Sequence, residues 1–146
     1  MSDIFIFTIS FYFCFISVLA YGNIFKKLFL GSSDIDKEVE VYIGFYGIAF
    51  LTLISLITSF FLKHDFLHNL FLHGFGFIYF LLADFKKNLK FYKNIFLLSI
   101  FFISILLISK THDDFSFYHY PFTKFLTENH IIFGMGHINV GYNFLS

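Results

Sequence analysis

Four long apolar stretches dominate the chain, and the first constrains everything else: Ile4 to Ile24 contains no charged residue. At about 1.5 Å per residue, a helix of that length crosses the roughly 30 Å of a bilayer's hydrocarbon core. The second stretch, Tyr42 to Leu62, is also uncharged, and the third, Phe66 to Leu82, is shorter and carries His68, Asn69 and His73. The fourth, Ile95 to Ile108, extends back toward Leu89, where Lys90 and Lys93 can snorkel to an interface. Only 14% of residues are charged and 58% are hydrophobic, whereas soluble domains carry about 25% charged residues. There is too little polar surface here to cover a water-soluble fold. The expected class is all-α: a polytopic membrane protein with about four transmembrane helices, near 4–24, 42–62, 66–82 and 89–109, and an extracytoplasmic tail over 110–146.

A cleaved signal peptide is the competing reading of the first stretch. It fits poorly, because no lysine precedes the apolar run and Tyr21-Gly22-Asn23 stands where a small-x-small cleavage site belongs. In the second stretch Gly44 and Gly47 are three apart and Ser55 and Ser59 four apart, a face that lets a neighbouring helix approach closely.

Lysine placement gives an orientation. Lys26 and Lys27 follow the first stretch, and Lys86, Lys87, Lys90 and Lys93 lie between the third and fourth. Short lysine-rich loops stay cytoplasmic, so both connectors are expected inside, with Met1 and the tail outside, in the cell (inner) membrane. The connector from Gly31 to Glu40 is acidic, and Ser33 is placed to cap a turn rich in Asp and Glu.

Other features exclude more than they assign. All ten basic residues are lysine and the formal net charge is zero, so no overall field recruits nucleic acid. The 27 Phe and 9 Tyr, without Trp, follow from AT-rich codon usage rather than from a stacking role. Cys14 is the only cysteine; it has no disulfide partner or metal-binding spacing, and reads as a small apolar residue in helix packing or lipid.

The tail differs in kind. It holds four of the seven histidines and the adjacent carboxylates Asp113 and Asp114. Pro121 can sit in the first turn of a helix, and Phe122, Phe125, Leu126 and Asn129 then follow along one face. Such a short helix beside a membrane exit lies in the interface plane. Two adjacent carboxylates repel, so one can hold a raised pKa and act as a general base, or the two can share a divalent cation. The plainer reading is a solvated acidic turn that caps the next helix. His112 and His119 are seven apart, as are His130 and His137, while His64, His68 and His73 lie near the third stretch. No H-x-x-x-H set with a matching carboxylate accompanies them, so no metal site is assigned, and no cofactor is identified.

The stretch Thr111-His112-Asp113-Asp114-Phe115-Ser116-Phe117-Tyr118-His119-Tyr120-Pro121-Phe122 resembles the first extracytoplasmic loop of large multi-spanning glycosyltransferases of the C-type fold. It is most similar to uncharacterised bacterial membrane proteins distantly related to that superfamily. There, an outward-running helix is followed by one or two aspartates, a Tyr or His, and a juxtamembrane helix. The resemblance implies an acceptor activated by a loop carboxylate, Asp113 or Asp114, with Tyr118 and His119 as substrate-binding residues. It further implies a sugar donor carried on polyprenyl phosphate. Family members continue through many more spans, and their simplest members have none before the outward helix. The resemblance therefore implies the N-terminal part of a longer enzyme, inactive on its own. The alternative is a small non-enzymatic membrane protein that packs against the helices of a partner complex.

Overall fold

The computed structural model describes residues 2–31, 42–84, 89–108 and 119–131. Helix α1 is Ser2–Phe25, α2 Ile43–Ser59, α3 Phe66–Tyr79, α4 Leu89–Ile108 and α5 His119–Glu128; no strand occurs among the described residues. Wider-wound turns extend α1 over Lys26–Leu30 and α3 over Phe80–Asp84. The chain's only proline is Pro121, so nothing in α1 to α4 removes a backbone donor. Gly31, at φ 81°, stops the first helix in a conformation that a Cβ would strain. Pro121 is the third residue of α5, in the first turn as the sequence predicts. The first-turn N–H has no intrahelical acceptor, so the proline is tolerated there.

Asp3–Leu30, at 28 residues, and Phe66–Ala83, at 18, are long and apolar enough to cross a membrane; Ile43–Ser59 and Tyr92–Ile108 are apolar but shorter.

The chain divides into two compact units, residues 1–53 with 71–109, and residues 54–70 with 110–146. In the first, the core gathers Leu19, Ala20, Ile43, Phe80 and Tyr92, with Phe15, Ile16, Ile95 and Phe96 packed against it. The Phe80 and Tyr92 rings meet edge to face at 4.8 Å, and Tyr12 lies 5.2 Å from Phe96. Helices α1 and α2 cross at two glycines. A Cβ at Gly47 would collide with the Val18 carbonyl, and one at Gly22 with the Ile43 carbonyl. Gly44 has open space around it, so only Gly47 of the expected small-residue face serves the crossing. Ser59 turns back onto its own helix, donating to the Leu56 carbonyl at 2.6 Å. Cys14 lies on the outer face of α1, exposed rather than packed between helices.

In the second unit, backbone bonds join the segment around α5 to the connector between α2 and α3. The His64 amide donates to the Leu126 carbonyl and the Ile131 amide to the Ser59 carbonyl, each at 2.8 Å.

Candidate functional site: a histidine pair and buried polar contacts

Of the residues expected to act on substrate, Asp113, Asp114 and Tyr118 lie outside the described residues. His119 is the first residue of α5 and is exposed; its carbonyl accepts from the Thr123 hydroxyl at 2.7 Å. The acidic connector and its Ser33 cap, and the side chains of Lys86, Lys87 and Lys90, also lie outside what is described.

The polar side chains of the first unit are used between helices. Ser17 of α1 is fully buried and its hydroxyl lies 3.1 Å from Nδ1 of His73 on α3. The Tyr21 hydroxyl donates to the Leu72 carbonyl at 2.8 Å, and the Asn23 amide donates to the Tyr92 hydroxyl at 2.9 Å. Ser99 donates to the Phe96 carbonyl and lies 3.3 Å from the Tyr12 hydroxyl. Lys27 donates to the Tyr79 hydroxyl, and its ammonium also sits 4.9 Å from that ring's centre. A serine and a histidine at 3.1 Å have the separation of a nucleophile and its base. Here that chemistry is blocked: Ser17 has no exposed surface, and a Cβ at Gly76 would already come within 2.5 Å of its Oγ. No substrate carbon fits there, and the pair serves as an interhelical hydrogen bond.

The second unit holds the denser cluster. His64 ends the connector and His68 lies one turn into α3, so a four-residue spacing stacks their rings. The ring centres are 4.4 Å apart and the planes differ by 5°. Both Nε2 atoms reach the same oxygen, Oγ1 of Thr58, at 3.4 Å from His64 and 3.1 Å from His68. Thr58 itself donates to the Ser55 carbonyl at 3.1 Å. Nδ1 of His68 is buried and has no hydrogen-bond partner among the described residues. Asp65 occupies the N-cap of α3, accepting from the His68 amide at 3.0 Å, while its carboxylate pairs with Lys63 at 3.3 Å. Asn69 donates to the His64 carbonyl at 3.0 Å.

Charges follow from this geometry. Burial first, and then the neighbouring His68, hold the His64 imidazole below its ordinary value, against an opposing bond to the Ser55 carbonyl. The His68 amide first, with Lys63 adding to it, holds the Asp65 carboxyl below the usual carboxylate range. Among the described residues no group of three or more His, Cys, Asp or Glu can hold a metal ion.

Sequence reasoning grouped His64, His68 and His73 without a role. The structure separates them: two share Thr58, and the third serves Ser17. The four-residue spacing was the available signal for the first pair; Thr58 comes from a different helix, and no local spacing reveals it. Compared with family models, with curated proteins and with solved structures, the chain matches none.

Proposed function

We propose that the chain is a multi-pass helical membrane protein in which α1, α2, α3 and α4 each cross the bilayer. The observation that carries this is an inverted distribution of polarity. Ser17, Ser59 and Ser99 are buried, while Phe5 is 67% exposed, Phe71 75% and Ile108 81%. In water such a surface drives aggregation; in lipid it is the solvated one, and the serines, tyrosines and Asn23 find partners inside. Helix α2, at 17 residues, is short for about 30 Å of hydrocarbon, and flanking Tyr42 and Phe60 to Leu62 extend its apolar length.

The backbone bonds of the second unit support the parity of this topology. The Ser59–His64 connector and the Leu126–Ile131 segment touch, so they share one side of the membrane. Two crossings, α3 and α4, separate them, which returns the chain to that side. With Lys26, Lys27 and the 86–93 lysines inside, the shared side is the extracytoplasmic one. In a Cys14→Ser background, Asn88→Cys is expected to react with an impermeant maleimide only after the membrane is opened. Thr123→Cys, on an exposed position of α5, is expected to react in intact cells. Labelling of Asn88→Cys from outside overturns the orientation, and extraction of the chain by alkaline carbonate overturns the membrane assignment.

A narrower reading, transfer of a sugar from a polyprenyl-phosphate carrier to an acceptor activated by Asp113 or Asp114, rests on the resemblance of residues 111–122. An apolar groove of about 470 Å³ lies between α1 and α4, lined by Phe11, Phe15, Leu98, Phe102, Ile105 and Leu106 among others. Its walls include the helix that leads into residues 111–122, and its apolar lining accepts an isoprenoid chain and a partner's helix alike.

A further inference from the structure

We propose that His64 and His68 form a proton-operated latch, which holds residues 126–131 against the α2–α3 connector at neutral pH and releases them on acidification. The hydroxyl of Thr58 has one proton, and it goes to the Ser55 carbonyl. Nε2 of each ring lies against Thr58 Oγ1, at 3.4 Å for His64 and 3.1 Å for His68, and His64 also bonds the Ser55 carbonyl. A proton added to Nδ1 of His68 enters a buried position with no acceptor among the described residues. Protonating both rings sets two positive charges at the 4.4 Å separation of the stack. The closed arrangement thus excludes the doubly protonated pair, which an open, hydrated connector accepts freely.

The latch is joined directly to what it holds. His64 donates its own amide to Leu126, and Ser59, next to Thr58, accepts from Ile131. Among the described residues no carboxylate is spare to neutralise the pair. Asp65, the one acid in the connector, caps the His68 amide and pairs with Lys63. From α2 the pair faces the neutral groups of Thr58 and Ser55. From the α5 segment it meets backbone at Leu126, while Lys124, Glu128 and His130 are exposed. The closed state binds fewer protons, so acid favours the open one. His64 has its value lowered from 6.5 in the closed state; the contribution to closure is complete above that pH and declines below it.

Amide exchange of the full chain in detergent micelles tests this, with rates corrected for the intrinsic pH dependence. Protection of the His64 and Ile131 amides is expected to fall about tenfold or more between pH 7.5 and pH 5, the change that one pK unit of linkage produces. In His68→Gln the pH dependence should shrink while protection at pH 7.5 persists, because Gln keeps a donor toward Thr58. His130→Gln should behave as wild type. Imidazole NMR gives a reading that needs no variant: the His64 ring should take up its proton below 6.5. Protection that does not vary with pH, dependence that survives in His68→Gln, dependence that disappears in His130→Gln, or a His64 proton taken up at or above 6.5 each overturns the latch. If His68→Gln fails to fold, the His64 titration and the His130→Gln result decide.

Discussion

Asp65 holds the entry of α3 in place by two contacts at once, a backbone amide and a lysine. The amide bond to His68 is that of an N-cap, a position where Asp and Asn are nearly equivalent and Ala is poor. The exposed pair with Lys63 adds little. Asp65→Asn is therefore expected to melt with wild type at pH 7, and Asp65→Ala to melt earlier. The Asp65 carboxyl titrates below its ordinary 3.8 in the folded protein. Its contribution is complete above 3.8 and is lost as pH falls through the lower folded value, and the Asn variant lacks that loss. Thermal unfolding in detergent from pH 7 to pH 3 measures both effects. An Asn variant as unstable as the Ala variant at pH 7 means that the cap is not what Asp65 supplies. Little of this was legible beforehand: Asp65 followed by Phe66 resembles a helix start, but His64 and His68 acquire their meaning only from Thr58.

Between elements, the crossing of α1 and α2 depends on an absent side chain. Gly47 packs on the Val18 carbonyl, and the mutual pocket at Gly22 receives the Ile43 carbonyl. Neither obstruction is the flexible end of a side chain, so Gly47→Ala must move a helix, at about 1–3 kcal/mol for overpacking. Gly44→Ala meets open space in the first turn of α2 and restricts the unfolded chain, which favours the folded state by about 0.4–1 kcal/mol. The two variants are one turn apart on the same helix, and their melting temperatures are expected to move in opposite directions. A shift of the same sign in both refutes the close crossing. The helices themselves were legible, because uninterrupted apolar runs without proline leave the backbone no other way to satisfy its hydrogen bonds away from water. Their pairing was not. Gly44 and Gly47 look alike in sequence, and which of them faces α1 is set by where Val18 and Ile43 arrive from distant parts of the chain.

For the whole molecule, the question is whether the segment after α4 carries chemistry or only links helices. Helices α4 and α5 flank residues 109–118, and the apolar groove lies on α4. Asp113 and Asp114 separate the two readings sharply. Removing a positioned general base lowers a rate about 10²–10⁴-fold, whereas a solvated loop aspartate contributes almost nothing to stability or rate. If the proposed sugar transfer is this protein's activity, Asp113→Asn or Asp114→Asn is expected to lower transfer to envelope glycans about 10²–10⁴-fold at unchanged protein level. Tyr118→Phe and His119→Gln, the proposed substrate contacts, should raise KM more than they lower kcat. Partial blocking of the groove by Ser99→Phe should weaken use of the lipid-linked donor without touching the carboxylates. Wild-type transfer in both aspartate variants reduces the pair to an acidic turn. The groove between α1 and α4 is then a seat for a partner's helix, and co-purification of another membrane protein, lost in Ser99→Phe, becomes the expected result.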